Sequence, residues 1–119
     1  MKHNLGTIGE RWAQLYLRQV GILPIDQNVR FRSSEIDIIA LERDCLVFIE
    51  VKTRRSTRYG WPERAVDSRK QAHIVQVAQI YCDEIQWSAA TRFDVIALSL
   101  SGHTLSIYHI RDAFYPNLN

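Results

Sequence analysis

Three carboxylates and an ammonium interrupt the most apolar stretch of the chain. In SEIDIIALERDCLVFIEVKTR, residues 34–54, Glu35, Asp37, Glu50 and Lys52 sit among Ile36, Ile38, Ile39, Leu41, Leu46, Val47, Phe48, Ile49 and Val51. Carboxylate oxygens without Cys or His partners are hard donors of the kind that bind Mg²⁺ or Mn²⁺. A metal held there would polarise a phosphodiester and lower the pKa of a bound water. A nearby lysine would stabilise the charge that builds on the phosphate. Asp followed by Glu-x-Lys on a neighbouring strand is the minimal set for that hydrolysis. The plain alternative is a buried Glu–Lys ion pair with Asp37 at a solvent-facing edge.

The apolar runs around 35–42 and 45–54 read as two strands joined at Glu42-Arg43-Asp44-Cys45. Strict alternation puts Glu35 and Asp37 on one face, with Ile36 and Ile38 on the other. If Arg43-Asp44 is a two-residue loop, paired positions sum to 87, which sets Asp37 opposite Glu50 and Glu35 opposite Lys52. A three-residue loop would break that register. In it, two carboxylates ~5 Å apart repel by roughly 3 kcal/mol at an effective dielectric of ~20. A divalent cation between them would relieve this.

Other elements must carry these strands. Residues 7–20 read as a helix, opened by a capping box at Thr7-Ile8-Gly9-Glu10 and closed by Gly21, with Leu5, Ile8, Trp12, Leu15, Tyr16 and Val20 at helical spacing. ILPIDQNVRF follows as a strand with a turn at Arg32-Ser33. Ser68-Arg69-Lys70-Gln71 is a second capping pattern, opening a helix to about Ile85 with Ile74, Val75, Ala78, Tyr81, Cys82 and Ile85 on its apolar face. RFDVIALSL and TLSIYHI, joined by Ser101-Gly102, form a last hairpin. The order is αβββαββ: an α/β fold with a mixed sheet flanked by helices.

At 119 residues, 46% hydrophobic and 24% charged, the chain is expected to form one globular domain, 1–119. No apolar run reaches the ~18 residues of a membrane span, and no signal core opens the sequence. A cytoplasmic location is expected. Cys45 and Cys82 read as buried thiols, and the scattered His3, His73, His103 and His109 argue against a histidine metal site. The net charge of +2 does not by itself point to nucleic acid. The segment KTRRSTRYGWPER does, because it places Lys52, Arg54, Arg55, Arg58 and Arg64 beside Tyr59 and Trp61. Cations neutralise phosphates and aromatic rings stack on unpaired bases. A solvated basic loop, with Gly60 and Pro62 as punctuation and a short helical turn at PERAV, is the other reading.

Asp37 followed by Glu50-Val51-Lys52 on adjacent strands, after an N-terminal helix, resembles the PD-(D/E)xK nuclease superfamily. More narrowly, GERWAQLYL, N-V-R, EIDIIA, VFIEVKTR, RFDVIAL and IYHIRDAF, in that order, are similar to the YraN family of small bacterial proteins, whose fold resembles archaeal Holliday-junction resolvases. The resemblance implies a restriction-endonuclease-like αβββαβ core. On it Asp37 and Glu50 would be metal ligands, the Val51 carbonyl a third, and Lys52 the catalytic lysine. Glu10 either completes that metal site or only serves the capping box. Glu35 matches the family motif or partners Lys52. Lys70 either approaches phosphate or is an exposed helix cation, and Arg92 and Asp94 read as a structural pair. The family carries Gly before its Glu-Ile-Asp motif, where this chain has Ser34; if that backbone needs φ > 0, Ser is strained.

Two functions follow from the nuclease resemblance, and a third competes with them. One is a Mg²⁺- or Mn²⁺-dependent endonuclease acting on DNA, with branched DNA as a candidate and a homodimer as the form that a junction-cutting pair of sites requires. The other is a nucleic-acid-binding protein with the nuclease fold and weak, conditional or lost catalysis. A protein-binding face is a third, which the basic-aromatic segment disfavours.

Overall fold

Asn4 opens the first helix. In the computed structural model, which describes residues 4–55 and 66–115, its side chain accepts the Thr7 N–H at 2.8 Å and caps α1, Leu5–Gln19. The capping box expected at Thr7 is therefore not the helix start. Asn4 satisfies an orphan N–H first, which puts Glu10 in the second turn. Gly21, at φ 84, ends the helix. Ile22 N–H reaches the Leu17 carbonyl at 2.9 Å and Gly21 N–H the Arg18 carbonyl at 3.3 Å, a Schellman pair of bonds. The second helix, α2, spans Ser68–Ile85 and is capped by Asp67 rather than Ser68, through a 2.9 Å bond from Lys70 N–H.

Five strands, β1 (Leu23–Phe31), β2 (Ser34–Glu42), β3 (Cys45–Arg54), β4 (Ala90–Ser101) and β5 (Thr104–Ile110), lie side by side in chain order. Every neighbouring pair is antiparallel except β3–β4. That parallel pair needs a long crossover, and α2 provides it. This is the expected mixed sheet flanked by helices. The turns are Arg32-Ser33 and Arg43-Asp44, with Arg32 at φ 56 and Arg43 at φ 54. Ser34 is not among the left-handed residues, so the glycine missing there leaves no strain. The last turn is Gly102-His103, one residue beyond the expected place.

Alternation along β3 sends Leu46 and Phe48 into a core under α2, and Val47, Ile49 and Val51 into one under α1. α2 packs largely as expected, with Ile74 and Ala78 buried and Val75, Tyr81 and Cys82 against the same core, although Val77, not expected there, is buried too and Ile85 stays exposed. α1 does not. Its buried face is Gly9, Ala13 and Leu17, whereas of the expected stripe Tyr16 packs against that core but Ile8, Trp12, Leu15 and Val20 are exposed. Small residues let the helix axis approach the sheet, and that proximity outweighs the larger apolar area of the other stripe.

A second polar cluster ties β4 to its surroundings. Asp94, fully buried, accepts the Arg92 guanidinium at 2.8 and 3.0 Å and Asp112 N–H at 3.1 Å, and lies 2.8 Å from His109 Nε2. Arg92 also reaches Glu42 at 2.7 Å, which Arg111 binds from outside at 2.9 Å. Arg92 and Asp94 are thus the structural pair expected. Cys45 and Cys82 are free thiols, half-buried. No described helix is long and apolar enough to cross a membrane.

Candidate active site

The β2–β3 ladder runs from Glu42↔Cys45 to Ile38↔Ile49, the register that pairs positions summing to 87. Beyond it Asp37 leaves the ladder: its Oδ2 accepts the Val51 N–H at 2.8 Å. Alternation breaks at the same residue. Ile38 and Ala40 pack under α1, but Ile36 packs under α2, so Ile36 and Ile38 do not share the face that strict alternation predicts. On the other side, Gln27↔Ile38 and Val29↔Ile36 flank Asn28, which sits at φ 51, a conformation Asn tolerates better than most residues. Both strands therefore kink at one level. Glu35 no longer faces Lys52; its carboxylate pairs with Arg30 at 2.7 Å.

Glu10 comes from α1. A Cβ on Gly9 would lie 1.8 Å from Thr53 Oγ1, so only glycine lets α1 lie this close to β3, and the next residue is delivered to the carboxylates. With its amide nitrogen turned to them, Asn28 donates to Glu10 Oε1 at 3.0 Å and to Glu35 Oε1 at 3.1 Å. Glu50 is only 4% exposed. Its Oε1 lies 2.7 Å from Lys70 Nζ and 3.9 Å from Lys52 Nζ. Its Oε2 is buried with no hydrogen-bond partner among the described residues. Lys70, read from sequence as a phosphate contact or an exposed helix cation, pairs with the central glutamate while its side chain stays 41% exposed.

The strand carboxylates Glu35, Asp37 and Glu50 face Arg69, Lys70 and His73 of α2 across a cleft of about 460 Å³. Burial, then the charges of Glu50 and Glu10, push Asp37 up to about 7 against the Val51 hydrogen bond. Burial and the neighbouring Glu35 and Glu50 raise Glu10 as well. Lys52 is depressed, by burial and by Lys70 beside it. Burial alone would depress Lys70, but its hydrogen bond and charge contact with Glu50 outweigh that and hold it above the usual ammonium range. The raised Asp37 and Glu10 carboxyls mark a floor where negative charge is poorly compensated. Among the described residues no three His, Cys, Asp or Glu form a ready metal cluster.

Asp37, Glu50, Val51, Lys52, Glu10 and Lys70 are therefore brought together, with Val51 taking part through its N–H. Arg54 ends β3 and Arg55 follows it, exposed. Arg58, Tyr59 and Trp61 lie outside the described residues, as do Arg64, Gly60 and Pro62. Sequence reasoning gave no role to Asn28, Arg69 or His73. For His73 the signal was its i+3 spacing from Lys70, which sets both on one helix face; for Asn28 it was the tolerance of Asn for a left-handed kink.

Comparison with known proteins agrees in extent. Residues 9–98 match the model of the uncharacterised protein family UPF0102, a span that holds every site residue above. A UPF0102 protein of Rhodococcus opacus (strain B4) is 46% identical over 119 residues, covering 96% of this chain and all of the relative. One of Syntrophus aciditrophicus (strain SB) is 44% identical over 117 residues, covering 96% and 92%. Among solved structures, the SPO1766 protein of unknown function from Silicibacter pomeroyi gives a TM-score of 0.43 at 14% identity, covering 98% of this chain and 79% of that one, too loose to support any argument. With full-length identity at this level, the chain belongs to the uncharacterised protein family UPF0102, the YraN family.

Proposed function

We propose that this protein is a metal-dependent endonuclease hydrolysing phosphodiester bonds in DNA, with branched or otherwise structured DNA as its candidate substrate. One observation carries the reading: Glu50 Oε2 is buried without a hydrogen-bond partner among the described residues, beside Asp37, whose carboxyl is raised to about 7 by burial and by Glu50. A buried oxygen left unsatisfied is costly, and a hard divalent cation such as Mg²⁺ or Mn²⁺ fits this all-oxygen donor set. Asp37 and Glu50 would hold it, with Glu10 and the Val51 carbonyl as further donors. Such an ion supplies Lewis acidity toward the phosphate and lowers the pKa of a bound water.

The chain's own residues do the rest. Val51 N–H fixes the Asp37 carboxylate, and Asn28 keeps Glu10 and Glu35 beside it. Lys52 donates to the phosphate oxygens where negative charge develops. Arg69 and His73 line the wall along which a strand would lie. Arg54 and Arg55 at the end of β3 add cations for phosphate, and the sequence that follows offers Arg58, Tyr59 and Trp61 as residue types suited to phosphate and base contacts. The likeness of Asp37 and Glu50-Val51-Lys52 to the PD-(D/E)xK pattern supports the same roles.

The test is cleavage of single-stranded, duplex, flap and four-way-junction DNA with Mg²⁺ or Mn²⁺. Asp37→Ala should abolish cleavage. Lys52→Ala should lower it by about 10²-fold or more, the scale for loss of one charge-stabilising donor. Both variants should still bind DNA, with circular dichroism showing that they fold. A wild type that binds but cleaves nothing would make this a nucleic-acid-binding protein, and cleavage that survives both substitutions would mark a contaminant.

A further inference from the structure

Lys70 is in an unusual position for a surface cation. Its backbone N–H bonds the Asp67 cap, which fixes it in the first turn of α2. There the positive end of the helix dipole disfavours a cation. Its ammonium nevertheless reaches across the cleft to Glu50 Oε1 at 2.7 Å, closer than Lys52 on Glu50's own strand at 3.9 Å. The ion pair satisfies only one oxygen, since Oε2 remains buried and unpartnered among the described residues. A carboxylate half-satisfied by a lysine on another element is held in a state that a better cation can replace.

Building on the metal reading above, we propose that Lys70 is a displaceable counter-ion: it neutralises Glu50 in the metal-free protein and gives way when a divalent cation takes that carboxylate. Its exit is open. The Lys70 side chain is 41% exposed against 31% for Lys52, and its flexible stem can carry the ammonium toward the wall lined by Arg69 and His73. Lys70 and the metal are then competitors for one carboxylate, Lys70 at Oε1 and the metal entering at the unpaired Oε2 beside it, and since like charges on one group repel, by linkage each weakens the other's hold. The device keeps Glu50 compensated without metal, and frees a cation on the phosphate-facing wall once metal binds.

The test uses the full chain stripped of metal and no DNA. Mn²⁺ and Mg²⁺ are titrated calorimetrically into wild type, Lys70→Met, Lys70→Gln and Lys70→Arg, and melting is followed with chelator and with Mn²⁺. Lys70→Met and Lys70→Gln should bind Mn²⁺ about tenfold more tightly, within the ~5–150-fold usual for coupled sites. Lys70→Arg, which keeps the charge, should stay near wild type. Lys70→Met should melt below wild type in chelator, and Mn²⁺ should raise its Tm by more than it raises the wild type's. A Met variant that folds only with Mn²⁺ is the strongest form of that result, and the Gln variant then carries the affinity comparison. If wild type binds metal and neither neutral variant binds it more tightly, the competition does not exist. If no form binds metal, the cation site itself falls, and this inference with it.

Discussion

Two acidic clusters sit in one sheet and are solved in opposite ways. Asp94 on β4 is fully buried, yet Arg92, His109 and the Asp112 N–H surround it. Burial alone would raise its carboxyl, but those hydrogen bonds hold it below the usual range. Asp37 and Glu50 receive fewer donors for more charge, and Asp37 rises to about 7. A buried carboxylate is stable when its partners are internal. One that is left short of partners at the floor of a cleft is poised for something from outside. The first cluster is architecture; the second is the candidate site.

The largest effect should come from breaking the satisfied cluster. Asp94→Ala leaves Arg92 and His109 without their common partner and should destabilise the fold by about 3–5 kcal/mol in urea unfolding. Asp37→Asn, measured in chelator, should be close to neutral or stabilising. Equal losses at both positions would erase the distinction between the clusters.

A smaller effect sharpens the comparison through pH. The folded-state pKa of Asp37 is raised, so between about pH 4 and 7 the native state binds more protons than the unfolded chain, and metal-free stability falls as pH rises. About 1–2 kcal/mol is expected over that window, reduced by the exposure of Asp37 to the cleft. Asp94 has the opposite sign. Its contribution is present above the unfolded pKa and is lost as pH falls through its lowered folded value. Asp37→Asn should flatten the neutral limb of the curve and leave the acid limb unchanged.

How much of this was legible in the sequence follows from which interactions are local. The strand pair, its turn at Arg43-Asp44 and the register from Glu42↔Cys45 to Ile38↔Ile49 follow from period-two patterning and a two-residue loop. The departure at Asp37 does not, because it depends on a side chain taking a backbone N–H from the neighbouring strand. Strict alternation consequently misplaced Ile36 and paired Glu35 with Lys52 instead of Arg30. On α1, hydrophobic spacing favoured Ile8, Trp12 and Leu15, whereas close approach to β3 selects Gly9, Ala13 and Leu17. Helix starts were missed by one to three residues, since Asn4 and Asp67 cap as well as Thr7 and Ser68. Lys70 was seen as a cation but not as Glu50's partner, because that contact spans the crossover.

The central claim is that the Asp37–Glu50 pair is a cation site, and calorimetric titration of Mn²⁺ into metal-stripped wild type and Asp37→Asn tests it most directly, with melting followed alongside. A cation site there means binding to the wild type at or below millimolar metal with a rise in Tm that grows with metal concentration, and loss of both in Asp37→Asn. No binding heat at millimolar Mn²⁺, together with an Asp37→Asn variant stabilised equally with and without metal, would contradict it.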